Sequence, residues 1–160
     1  MKVIQGNASA PLRLSANFTL AEFLVSDTAK ARGIDNTPNP LQQANLYQCA
    51  LLMEAVRKVL GDRPILISSG FRSVALNAAV GGARKSDHLN GSAIDFCCPA
   101  FGTPLEVARA IAKSDRVIFG QLIHEQTWVH ISLPTAERKG ELLTARFGRG
   151  GTTYERGLNA

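Results

Sequence analysis

No apolar run in this chain approaches the roughly eighteen residues that a membrane-spanning helix needs, although 45% of its 160 residues are hydrophobic. No membrane span is expected, and the apolar residues should fill a core. Charged residues make up only 19%, and no like-charge block or low-complexity stretch argues for disorder. Internal repeats are also lacking. One domain is expected over residues 1–160, with its core at about 17–133 and residues 134–160 as an extension or tail. Met1–Leu14 has no continuous apolar segment of the kind that marks a secretory signal. The chain is therefore expected to be made in the cytoplasm, and work outside the cell would require a separate exit route.

Cysteine is scarce and unpatterned. Cys49, Cys97 and Cys98 are an odd set without C-x-x-C spacing, which argues against a disulfide scaffold and a cysteine zinc knuckle. Their expected state is free thiol, small and mostly buried. Lys and Arg number 18 against 13 Asp and Glu, giving a net charge of +5 and a pI near 9.4. Such a surface concentrates anionic partners. The basic residues are scattered, however, with no stripe interleaved with aromatics, which counts against nucleic acid.

The hydrophobic pattern predicts helices first and a sheet later. Thr19 and Glu22 are spaced as a capping box, with Phe18 and Phe23 as a hydrophobic staple, for a helix that should run to Gly33. A long helix should follow, with Asn39 as cap and Pro40 in its first turn, closing at Gly61. Pro64–Ser69 reads as a short strand entering the turn Ser69-Gly70-Phe71-Arg72, and Ser73 can cap a short helix. Ser92–Cys98 alternates like a strand. Thr103-Pro104-Leu105-Glu106 opens another helix, to about Lys113. Val117–His124 and Trp128–Leu133 read as antiparallel strands joined by a tight turn near Glu125–Thr127. From Pro134 the chain is rich in Gly and Arg and is expected to be partly mobile or to wrap the surface. The fold class is α+β, helices packed on a small, mostly antiparallel sheet.

Among three histidines, His88 and His130 stand in suggestive places, near Asp95 in the first case and on a strand in the second. Asp95 lies between Ala93, Ile94, Phe96 and Cys97, so its carboxylate should be buried. An unpaired buried charge costs several kcal/mol or more, and a nearby cation or metal ion would neutralise it. Two imidazoles and one carboxylate suit Zn²⁺, and three protein ligands leave a fourth position open, as catalytic sites require. Gly91 lets the chain turn between His88 and Asp95. On its strand, His130 shares a face with Trp128 and Ser132.

The string Ser86-x-His88-x-x-Gly91-x-Ala93-x-Asp95, with Trp128-Val129-His130-Ile131-Ser132 downstream, resembles the zinc D-Ala-D-Ala carboxypeptidase family. That family belongs to the wider group of D-Ala-D-Ala, lysostaphin-like and hedgehog metallopeptidases. The turn Ser69–Ser73 and the stretch Asn17–Ala29 match as well, so the resemblance covers about residues 17–133. It implies one Zn²⁺ per chain on His88, Asp95 and His130. It places Arg72 near the substrate, to bind its carboxylate or the developing oxyanion, and makes Ser86 and Trp128 substrate contacts.

In one branch of the family the general base stands three positions before the last ligand, where this chain has Thr127, which cannot take a proton. In another branch a polar catalytic residue stands five positions before it, which is Glu125 here. Glu125 is therefore the expected base, with His124 the lesser candidate. The implied activity is hydrolysis of an amide in peptidoglycan stem peptides, by a D,D-carboxypeptidase or a murein endopeptidase. A small single-domain member of this kind resembles a phage or prophage endolysin released to the cell wall, or carried in a virion, and acting as a monomer. The alternative is a non-catalytic zinc-binding structural or virion-associated module of the same fold, favoured by the loss of an acid at 127. A metal-independent cysteine peptidase using Cys97 or Cys98 with a histidine has little support, since neither cysteine lies at an evident helix N-terminus or beside a cationic partner.

Overall fold

The computed structural model describes residues 11–160. Readings that fall on residues 1–10, including most of the segment searched for a signal, lie outside the described residues. The first helices of the described residues are α1 (Leu20–Phe23) and α2 (Asp27–Arg32). The Thr19–Glu22 capping box forms, and Phe18 and Phe23 pack with ring centroids 5.7 Å apart. The single helix expected up to Gly33 is thus two. Leu24 caps α1, and the Ser26 side chain restarts the chain by accepting from Ala29 N at 3.1 Å. A serine hydroxyl competing for backbone donors mid-run is a known helix interruption. Gly33, in the left-handed region, ends α2 as expected.

Next come α3 (Pro40–Val59), β1 (Leu66–Ser69), α4 (Val74–Ala79), a 3₁₀ turn at Asp87–Asn90, β2 (Ala93–Cys97), α5 (Pro104–Ala112), β3 (Gln121–Glu125) and β4 (Trp128–Ser132). The caps Asn39, Ser73 and Thr103 all act as expected. The strand expected from Val117 starts only at Gln121. Gly120 lies against the Leu133 carbonyl with no room for a side chain, while Val117 and Phe119 turn into the core.

The segment after Pro134 departs from expectation: it forms β5 (Glu141–Gly148) and β6 (Gly151–Arg156), two further strands of the sheet. Ala145 and Thr144 are buried, and the Thr144 hydroxyl ties down both Gly157 O and Asn159 N at 2.8 Å. The strand order is β1-β2-β4-β3-β5-β6, with only β3–β5 parallel.

One face of the sheet carries Ile94, Phe96, Leu122, Val129 and Ile131, all fully buried in one core with Leu46, Met53 and Val56 of α3 and Val107 and Ile111 of α5. Each such side chain contributes about 1.5–3 kcal/mol, which anchors the sheet firmly enough for its other face to hold charged groups. Alternation along the strands places Asp95, His130, Ile123 and Glu125 on that second face. Among the described residues, no helix is long and apolar enough to cross a membrane.

Candidate metal centre

His88 is positioned by a turn that α3 grips through three successive carbonyls. Gln42 Nε2 donates to Leu89 O (2.9 Å), Asn45 Nδ2 to Asn90 O (2.8 Å) and Cys49 Sγ to Gly91 O (3.4 Å). Spacings of three and four put these side chains on one face of the helix. Gly91, at φ 68°, closes the turn, and a Cβ there would lie 2.7 Å from Gln42 O, so only glycine fits. The imidazole is fixed from behind. Its Nδ1 lies 2.6 Å from Gly70 O and so carries the proton, leaving Nε2 as the free electron pair. Gly70 reaches that point because it packs directly on the Phe23 carbonyl, with no space for a side chain.

Asp95 and His130 face one another across the β2–β4 ladder. Asp95 Oδ1 lies 2.8 Å from His130 Nδ1 and 3.1 Å from His88 Nε2, and the two nitrogens are 3.2 Å apart. All three residues are buried. A tetrahedral ion with ligands at ~2.0–2.1 Å sets its donors about 3.3 Å apart. Two nitrogens and one oxygen at 2.8–3.2 Å fit that requirement with little adjustment. The second carboxylate oxygen, Oδ2, is held by Arg72 Nη2 at 2.8 Å. Arg72 is itself locked, with Nε on Ser69 Oγ (2.9 Å) and its backbone N on His88 O (3.1 Å). Asp95 thus presents one oxygen to the histidines in a fixed orientation.

The charges are interdependent. Burial lowers the pKa of His88, more than the neighbouring Asp95 raises it. Burial acts the same way on His130, but its hydrogen bond to Asp95 and the carboxylate charge prevail and raise its pKa. Burial also opposes ionisation of Asp95, yet the two imidazoles hold its carboxyl far below the usual range. The cluster therefore keeps a carboxylate and a proton-hungry imidazole together, a donor set suited to a cation.

The centre opens into a cleft of about 680 Å³ lined by Arg72, Ser86, Glu125 and Trp128, among others. Glu125 closes the β3–β4 hairpin directly across from Trp128, and Gln126 takes φ 58° to complete the tight turn. Burial, and then the Asp95 charge, push the Glu125 pKa up to about 7. The charges of His130 and Arg72 oppose that rise, and the buried Trp128 indole nitrogen makes no hydrogen bond. Ser86 caps the 3₁₀ turn, accepting from His88 N at 3.4 Å, as well as lining the cleft.

His124, the lesser candidate for the base, points to the other face of β3 and places Nδ1 3.1 Å from Asn159 O. Strand parity removes it from the cleft. Thr127 sits in the turn and does not line the cleft.

The raised carboxyl carries a stability consequence. In the unfolded chain Glu125 ionises near its ordinary 4.5, whereas in the folded chain it holds its proton to about pH 7. Folded protein therefore binds the extra proton between these values, and stability falls as pH rises through that window. Metal-free Glu125→Gln is expected to be about 1–3 kcal/mol more stable than metal-free wild type at pH 8 and no different at pH 4. Denaturant titrations at the two pH values check this.

Two features went unread in the sequence. Arg138 Nη2 donates to both Asp87 carboxylate oxygens, at 2.8 and 2.6 Å, clamping the loop before β5 against the His88 turn. Leu143, Phe147, Thr152 and Tyr154 of β5 and β6 also line the cleft. The alternation of Leu143, Ala145 and Phe147 was a usable strand signal, obscured by the surrounding Gly and Arg.

Comparison with known proteins agrees with this geometry. The family model described as Peptidase M15 matches residues 16–132. A curated relative, the zinc D-Ala-D-Ala carboxypeptidase of Streptomyces albus G, is 37% identical over 80 residues, which are 50% of this chain and 31% of the relative. The match thus spans about a third of that relative's length.

Proposed function

The chain belongs to the M15 peptidase family, and on that premise we propose that it is a zinc metallopeptidase hydrolysing an amide bond in peptidoglycan stem peptides. The observation that carries this reading is the convergence of His88 Nε2, His130 Nδ1 and Asp95 Oδ1 in a cleft that also holds Glu125. These three atoms would hold one Zn²⁺, which when bound supplies Lewis-acid activation of water and polarisation of the scissile carbonyl.

The chain's own groups do the rest. Glu125 takes a proton from the attacking water and delivers it to the leaving amine, a role suited to a carboxyl poised near neutrality. Arg72 keeps Asp95 oriented through Nη2 and offers its remaining donors to the substrate carboxylate or the oxyanion. Ser86 and Trp128 contact the peptide from the cleft walls. The likeness to the Streptomyces carboxypeptidase favours cleavage at D-Ala-D-Ala. The chain works as a monomer on the cell wall, in the manner of an endolysin, and its net charge of +5 assists adsorption to an anionic polymer.

The test is mass analysis of defined muropeptides incubated with zinc-loaded protein, with His88→Ala as control. Loss of one terminal alanine identifies a carboxypeptidase and opened crosslinks an endopeptidase, and His88→Ala should release neither. Intact muropeptides with metal bound would instead favour a non-catalytic zinc-binding module, the reading to which Thr127 lends support.

A further inference from the structure

The matched family region ends at residue 132, yet one wall of the cleft is built from the strands beyond it. In the parallel β3–β5 register Leu143 lies beside Ile123. Ala145, fully buried, pairs with Tyr154 across the β5–β6 ladder. Phe147 and Tyr154 line the cleft with 46% and 52% of their surface exposed. Large aromatic surface left open toward a site is a surface that receives an apolar group.

The wall is also tied to the metal ligands. Phe147 stacks on Trp128, centroids 5.7 Å apart and planes at 29°, and Trp128 stands two residues before His130 on β4. Tyr154 lies within the electrostatic reach of Glu125 and Asp95. The cations of the cleft lie elsewhere. Arg72 follows β1, Lys85 belongs to the segment leading into the His88 turn, and Arg138 is clamped to Asp87 of that same turn. That segment precedes β2, whereas the hairpin lies at the opposite end of the sheet order.

We propose that the β5–β6 hairpin is the specificity wall of this site, with Phe147 and Tyr154 seating an apolar side chain on the acyl side of the scissile bond. The inference rests on the reading of the cleft as a peptide site. A substrate whose leaving residue carries a free carboxylate directs that end to the cations, which leaves the preceding side chain against the aromatics. A methyl group in such a pocket discriminates by about 10-fold or more over hydrogen.

The experiment compares Tyr154→Ala, Phe147→Ala and the double variant with wild type, on paired peptides carrying alanine or glycine at the acyl position. For the alanine peptide, KM is expected to rise about 10-fold or more while kcat stays within about threefold, and the preference over glycine should collapse towards unity. Unchanged KM and unchanged preference in an active enzyme would overturn the hairpin assignment and leave the peptidase reading standing. If wild type cleaves neither peptide, calorimetric titration of the alanine peptide into zinc-loaded protein decides the matter. Weaker binding by the variants upholds the wall while the catalytic reading falls, and equal binding, or none by wild type, overturns it. Should Phe147→Ala fail to fold through loss of its stack, Tyr154→Ala serves alone.

Discussion

Replacing Glu125 with glutamine is expected to leave zinc bound and to lower kcat by about 10²–10⁴. The substitution keeps the shape of the side chain and removes only its capacity to take a proton. Glu125 does not belong to the buried triad, so the three clustered donor atoms are untouched. The position suits the role because the hairpin turn fixes the carboxyl at the end of β3, in the same cleft as the triad.

The acid limb of the rate profile should also change. Without metal the Glu125 pKa is pushed to about 7, and a cation at the triad draws it lower. Wild-type kcat/KM should therefore rise with pH through a midpoint at or below about 7, and Glu125→Gln should lose that limb. Steady-state rates from pH 5 to 8, with metal content measured alongside, check both statements. Undiminished turnover with zinc in place would remove Glu125 from the mechanism.

Stripping zinc is expected to abolish activity and lower thermal stability, with both restored by added zinc. At a free metal concentration about 100-fold above Kd, binding contributes about 2.7 kcal/mol to the folded state. For a domain of this size that corresponds to roughly 5–10 °C in Tm. The gain should depend on pH in a definite direction. The His130 pKa is raised in the folded, metal-free protein, so its bound proton stabilises that form at low pH and the effect is lost as pH rises through the folded value. Zinc must displace this proton. The zinc-induced shift in Tm should accordingly grow between pH 6 and pH 8.

Asp95→Asn should weaken metal binding and also leave Arg72, which is only 16% exposed at its side chain, facing no carboxylate. Breaking one side of such a buried pair costs about 3–5 kcal/mol. Differential scanning fluorimetry across pH, with and without chelator, measures all of these effects.

The clustering of His88, Asp95 and His130 was legible in the sequence because local rules converge on it. A carboxylate set among apolar strand residues, a glycine between His88 and Asp95, and strand parity at His130 each point to the same place. The capped helices were legible for the same reason, since capping residues act within three or four positions. What stayed hidden depends on distance along the chain. Gln42, Asn45 and Cys49 hold the His88 turn through partners 42–47 residues away, and nothing local marks them. The Arg138–Asp87 clamp spans 51 residues. The break at Ser26 shows a side-chain cap overriding a run of helix formers. The C-terminal hairpin was concealed by composition, since Gly and Arg mask a short alternation whose burial becomes clear only beside β3.

The most direct test of the zinc assignment is a crystal structure of zinc-loaded protein with anomalous data collected on both sides of the zinc edge. One ion bound by His88 Nε2, His130 Nδ1 and Asp95 Oδ1, with Arg72 still on Oδ2, is the predicted result. Zinc bound through other residues, or a collapsed triad that excludes it at saturating metal, would contradict the account.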